Sequence, residues 1–186
     1  FELDDRLLNS TDSIEQSQIR SVLAGERFIE NKNNRIKENS ISSGDVFKFK
    51  LPEQTKFSYY INIRPDCDCI NRNQSCSTDD LELYLLRLSK LKPKDEKELF
   101  HKKFGTFEEH DTNTIIFNMC EDRSFRVNHK ELSIKTWGYL KEHRIGRLLP
   151  PYITRVQQRY SLFLQRQGLP RPPTEAVRGV TDESET

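Results

Sequence analysis

The chain has 186 residues, with 30 basic and 29 acidic side chains and a formal net charge of +1. This length supports one domain with a core of its own. The balanced charge excludes a bulk electrostatic pull toward nucleic acid or membrane and leaves only a local basic patch to act on such a partner.

Hydrophobic residues make up 34% and charged residues 32%, which fits a modest core carrying charged helices and partly disordered ends. No apolar run approaches the roughly 20 residues that cross a bilayer, and no apolar signal segment follows the start. Four cysteines at lopsided spacing do not make a disulfide framework, so a reducing cytoplasm is expected. A start at Phe1 rather than Met reads as a fragment, with an N-terminal partner domain expected upstream.

In chain order, residues 1–42 read as an N-terminal helix and linker. The helix is expected over 11–31, where Thr11 or Ser10 caps it and Asp12 and Glu15 lie near the positive end of its dipole. Ile14, Ile19, Val22, Leu23 and Phe28 recur there at roughly helical spacing, and the polar run 31–43 reads as a loop.

A β-rich block fills 43–149. In 45–51 (DVFKFKL), Phe47, Phe49 and Leu51 share one strand face and Lys48 and Lys50 the other. After the turn PEQTK, a second strand is expected over 57–64 (FSYYINIR). A third is expected over 81–88 (LELYLLRL), with Leu81, Leu83 and Leu85 on one face. Residues 113–120 (NTIIFNMC) and 124–128 (SFRVN) form a hairpin around Glu121, Asp122 and Arg123, and 131–140 (ELSIKTWGYL) is less regular. One inserted helix is expected over 93–104, with Pro93, Asp95 and Glu96 at its start and Lys102 and Lys103 at its end.

The clearest helix is 150–168. Pro150 and Pro151 open it, and Ile153, Val156, Tyr160, Phe163 and Leu164 lie on one face. Gly168, Leu169 and Pro170 close it. The unit 150–170 is thus a C-terminal amphipathic helix, and 171–186 is a disordered tail. Five or six short strands with two helices predict an α+β, mainly β fold: a small, strongly bent sheet closed as a compact barrel, since closure removes edges.

The densest chemistry lies between Ser43 and Cys76, where Pro65-Asp66-Cys67-Asp68-Cys69 ends an apolar strand. Cys67, Cys69 and Cys76, with Cys120 or His110, are the candidate zinc ligands. Their spacing lacks the Cys-x2–4-Cys knuckle of structural sites, and buried thiols acting as small apolar residues compete with that reading. In an extended 66–70, Cys67 and Cys69 face one way, and Asp66 and Asp68 are expected to bond amides in the following turn. His101, His110, His129 and His143 are not paired at a metal or catalytic spacing. No cofactor is expected.

Two motifs carry a family resemblance. Gly44-Asp45-Val46-Phe47 followed by Pro65-Asp66-Cys67-Asp68 resembles bacterial proteins with a PemK/MazF-like, Src-homology-3-like (SH3-like) small barrel. The ending Gly146-Arg147-Leu148-Leu149-Pro150-Pro151-Tyr152, with its helix and Gly168-Leu169-Pro170, resembles the same uncharacterised group. The resemblance covers about residues 43–170. It implies an SH3-like barrel and a setting beside ATPase or receiver-domain genes of bacterial defence loci.

Toxin members of that family cleave RNA without a metal. They use an arginine after the first strand and a Ser or Thr at the end of a later one, so that a cation meets the developing phosphate charge. Here the first loop, Pro52 to Lys56, holds no arginine. Arg87 and Ser89 are the remaining catalytic candidates.

The other basic cluster surrounds the last helix: Arg144, Arg147, Arg155, Arg159 and Arg166. Offsets of four and seven place Arg155, Arg159 and Arg166 together, as a solvated face or as a surface for an acidic partner or nucleic acid. The expectation is a non-enzymatic regulatory or interaction module that binds a protein partner, with an ATPase or receiver-domain protein of the same operon implied by the resemblance. The alternatives are a nucleic-acid-acting protein, either a toxin-like endoribonuclease or a DNA-binding module, and a zinc-stabilised structural domain. The helix 150–168 is expected to pack Val156, Tyr160 and Phe163 on the barrel and to show its arginines outward.

Overall fold

The computed structural model describes residues 25, 27–32, 35–52, 55–71, 77–95, 107–121 and 123–166. The structure is mainly β. Its strands are β1 (Phe28–Glu30), β2 (Asp45–Phe49), β3 (Ser58–Asn62), β4 (Glu82–Lys90), β5 (Phe107–Glu109), β6 (Asn113–Cys120), β7 (Arg123–Thr136) and β8 (Arg144–Leu148). Helix α1 (Trp137–Leu140) connects β7 to β8, and helix α2 (Tyr152–Leu164) follows β8. The strands form one sheet in the order β1-β8-β2-β3-β4-β7-β6-β5, and every neighbouring pair is antiparallel.

The period-two patterns of β2 to β4 explain this sheet. Phe47, Phe49, Tyr60, Leu83 and Leu85 point to one face and pack with Trp137 and Leu140 of α1. Val46, Tyr59, Ile61, Leu86 and Leu88 point to the other and pack with Phe125 and with Ile153 and Val156 of α2. The second face also gathers Phe28 from β1 and Ile116, Met119 and Cys120 from β6. Such distant strands meet on one face because the sheet curls into a half-barrel. The buried Arg27 spans the gap between the curled ends, donating from Nη1 to the Phe117 carbonyl of β6 at 2.7 Å.

Several expectations change at this level. The helix expected over 11–31 falls largely outside the described residues, and its last part is a strand instead. Phe28 pairs with Leu148 across β1–β8 and buries its ring, so an apolar residue assigned to a helix stripe serves a sheet face. Gly146 makes that approach accessible, since a Cβ there would sit 2.3 Å from the Phe28 ring and 2.4 Å from the Ile29 carbonyl oxygen.

Of the helix expected over 93–104, residues 93–95 are helical and the rest lies outside the described residues, as do the expected 168–170 cap and the 171–186 tail. The irregular 131–140 resolves into the end of a 14-residue β7 and α1. β5 and β8 are strands that the apolar pattern did not predict. β8, Arg-Ile-Gly-Arg-Leu, carries two arginines because its polar positions meet a buried carboxylate.

Candidate functional site

Asp45 opens β2 with its side chain fully buried. Register places Arg147 directly across from it, and a bulge between Val46 and Phe47 brings Arg144 alongside. Arg147 donates from Nε to Oδ1 at 2.7 Å and from Nη2 to Oδ2 at 3.2 Å, and Arg144 Nη1 lies 3.6 Å from Oδ2. The Ser42 N–H adds a bond to Oδ2. Other guanidinium N–H groups donate to carbonyls of the preceding loop, Arg144 to Lys37, Glu38 and Ser40 and Arg147 to Ser40, while the Arg144 Nε has no partner among the described residues. Burial pushes the Asp45 carboxyl upward, against the two guanidinium groups that hold its charged form.

Arg144 and Arg147 therefore leave the expected partner surface. Their side chains are 2% and 18% exposed, because a carboxylate buried in a strand requires matched cations and donors.

The Pro65-Asp66-Cys67-Asp68-Cys69 stretch closes the same knot. It is a 3-10 turn over Asp66–Asp68, not an extended segment, and this changes two expectations. Asp66 Oδ1 reaches back across the fold to accept from the Ser42 hydroxyl at 2.6 Å and the Ser43 N–H at 2.7 Å, rather than from the following turn. Burial would raise the Asp66 carboxyl, but these donors hold it below the ordinary range. Cys67 is exposed while Cys69 is buried, so the two thiols do not share a side.

Cys69 accepts from Asn62 Nδ2 at 3.5 Å and donates to the Arg64 carbonyl at 3.7 Å. Burial pushes its thiol up to about 11, and that of the buried Cys120 up to about 12. Both thiols are thereby held in the protonated form, which disfavours a nucleophilic thiolate. Cys76 lies outside the described residues, and among the described residues no three His, Cys, Asp or Glu side chains are placed to hold a metal ion.

A second polar cluster sits where the curled sheet meets itself. Glu121, in the β6–β7 turn with φ of 51°, reaches three other strands. It accepts from Lys48 of β2, from the Tyr59 hydroxyl of β3 at 2.8 Å and from Lys90 of β4 at 2.8 Å. Burial alone would raise this carboxyl, but those bonds outweigh it and hold Glu121 at about 2. The lysines also lie over aromatic faces: Lys90 is 4.6 Å from the Tyr59 centroid, and Lys50 is 4.9 Å from that of Phe57. Phe57 itself is 56% exposed. One signal for this cluster was present in the sequence: Lys48 and Lys50 follow Val46 on its strand face, so cations continue a face that begins in the core. Nothing local tied them to residues 90 and 121, which only the sheet brings near.

The helix α2 buries Ile153 and Val156 and rests Tyr160 partly against the same core. Tyr160 and Phe163 flank the His129 ring of β7, with centroids 6.2 and 5.8 Å away. His129 is buried. Its Nε2 lies 3.1 Å from the Thr114 hydroxyl, and its Nδ1 has no hydrogen-bond partner among the described residues. Burial, then the nearby Arg159 and Arg166, lower it to about 4. Along the flank of α2, Arg155 and Arg166 are exposed and Arg159 is half-buried, with Leu162 between them 53% exposed; Arg166 pairs with Asp111 at 3.1 Å and lies over the Phe163 ring.

Arg87 and Ser89 project from β4. Arg87 is held by Glu131 at 2.9 Å and Ser89 is exposed. Glu131 thus occupies the Arg87 guanidinium, and the exposed Arg126 of β7 stands directly across from Ser89.

No family model matches the chain, and no curated protein matches it.

Proposed function

We propose that the protein is a non-enzymatic interaction module of the small, SH3-like barrel type, and that α2 is its docking element for an acidic surface of a protein partner. The observation that carries this reading is the outer stripe of α2. Arg155, Arg159, Leu162 and Arg166 are spaced by four, three and four residues, which aligns them on one side of a helix. A leucine 53% exposed between guanidinium groups combines an apolar contact with planar donors that match carboxylates. At Arg87 and Ser89, the catalytic candidates, the Arg87 guanidinium is taken up by Glu131 at 2.9 Å, which supports this reading over phosphate chemistry.

The resemblance supplies the first partners to try, an ATPase or receiver-domain protein of the same operon. The full chain and an Arg155→Glu, Arg159→Glu, Leu162→Asp variant would be co-purified with those gene products, with melting curves run alongside. Loss of the partner at unchanged melting temperature supports the reading. Equal recovery by both proteins rejects it.

One observation favours a second reading. Lys48 and Lys50 lie over the ring of Phe57, which is 56% exposed, a cation and stacking-face combination that suits single-stranded nucleic acid. Incubation with single-stranded RNA, with and without Arg87→Ala, separates the readings: Arg87-dependent cleavage would replace the interaction module with a nuclease.

A further inference from the structure

On one side β7 pairs with β4, before and after a break at residues 129–131, and on the other it pairs with β6 along only part of its length. Its 123–128 half pairs with β6, and the His129 N–H continues that edge by donating to the Thr112 carbonyl. Its far half pairs with β4, from Leu132 opposite Leu86 to Thr136 opposite Glu82. Among the described residues no strand lies against the other edge of 130–136. That edge is not blunted by apolar shielding either: Leu132 is 46% and Ile134 50% exposed, next to Tyr84 at 37%, the cross-strand partner of Ile134. An open strand edge bearing exposed apolar side chains is a template for strand addition.

The order of residues along this edge selects the occupant. Antiparallel pairing of 131–135 with an identical strand, about a two-fold axis at Ser133, sets Ser133 opposite Ser133. It then sets Leu132 opposite Ile134 and Glu131 opposite Lys135, each twice. Within 131–135 each apolar residue meets an apolar one and each charge its opposite. Leu132 to Lys135 keep the faces that the β4 register assigns, and Glu131, which also holds Arg87 and Asn128 of its own chain, takes up the partner's Lys135 as a further cation. Charges on an edge normally repel another copy; here their equal distance from Ser133 turns them into partners. We propose that a second copy of this chain pairs antiparallel with the 131–135 edge about a two-fold axis at Ser133, joining two half-barrels into one continuous sheet.

Sedimentation equilibrium of the full chain tests this, through charge swaps that report on register. The wild type is expected to be a dimer. Lys135→Glu alone faces Glu131 with a glutamate at both symmetric positions, and Glu131→Lys alone faces Lys135 with a lysine. Like charges opposite each other cost a few tenths to 1 kcal/mol per pair, so each single variant should dimerise about tenfold more weakly. An equimolar mixture of the two variants restores opposite charges at both positions and should recover wild-type association as a heterodimer.

An independent readout covers the case in which a swap disturbs folding. In a Cys67→Ser, Cys76→Ser background, Ser133→Cys should form an intermolecular disulfide on mild oxidation, because facing residues of an antiparallel pair have Cα atoms about 4.5–5.5 Å apart. The inference is overturned by a monomeric wild type at about 100 µM (about −5.5 kcal/mol on the affinity scale). A dimer insensitive to both swaps, or no rescue on mixing, also overturns it. Loss of the α2-dependent partner leaves this test untouched, since the two surfaces share no residue.

Discussion

At the scale of single residues, burial decides which charged groups are structural. Asp45, Arg144 and Arg147 would be costly alone inside the sheet, yet Arg147 hydrogen-bonds the carboxylate, Arg144 lies 3.6 Å from it and donates to loop carbonyls, and a cluster so matched becomes an anchor rather than a ligand site. His129 is the contrasting case. Its ring is buried without an acidic partner, so the fold holds it neutral. In the unfolded chain it titrates near its ordinary 6.5, and in the fold near 4. Between those values the unfolded state carries the extra proton. The stability His129 contributes is therefore fully present above about pH 6.5 and is lost as pH falls toward 4. Urea midpoints of the wild type should drop between pH 7 and pH 4.5, and His129→Gln, which keeps a polar group for Thr114, should flatten that part of the slope.

At the scale of elements, β1 and β8 depend on the absence of one side chain. β1 is only three residues long, and the Phe28 ring occupies the volume above Gly146. A methyl group there cannot be absorbed by backbone, because the Ile29 carbonyl lies on its other side. Gly146→Ala should therefore destabilise the protein by about 1–3 kcal/mol, the usual cost of overpacking, and increase hydrogen exchange at Asn31, whose N–H bonds the Ile145 carbonyl. Unchanged exchange there would mean that β1 does not hold to β8 through this contact.

These two strands also mark the boundary of what could be read along the chain. β2, β3 and β4 were legible because large apolar residues alternate in them, and the split of Phe47 and Phe49 from Lys48 was correctly placed. β1 carries no strand signal of its own, because three residues do not establish a period. β8 was passed over because its arginines read as surface charge until Asp45 stood opposite them.

At the scale of the whole molecule, the curl of the sheet creates the contacts that hold its ends together. Arg27 joins the β1 end to β6, and Glu121 ties the β6–β7 turn to β2, β3 and β4. Glu121 has a folded value of about 2 against an ordinary 4.5, so its contribution is present above about pH 4.5 and disappears as pH falls toward 2. The side chain is about a third exposed, which screens the ion pairs; removing the charge should cost on the order of 1 kcal/mol. Glu121→Gln is expected to lower the neutral-pH urea midpoint by that amount and to converge with the wild type near pH 2. A constant offset between the two proteins down to pH 2 would show that the carboxylate is not what closes the sheet.

The sequence alone determined the mainly β character, the facing of the central strands and the amphipathic last helix, because those properties follow from the order of apolar and polar side chains over a few residues. It also brought the Gly44-Asp45 and Pro65-Asp66 motifs forward as the place of densest chemistry. Only the tertiary structure decided what that chemistry is for. Whether an aspartate is buried, whether an arginine faces it or faces solvent, and whether Lys48 and Lys90 converge on Glu121 all depend on strand register and sheet curl. Those are long-range quantities, set by contacts between residues dozens of positions apart, and no local pattern encodes them.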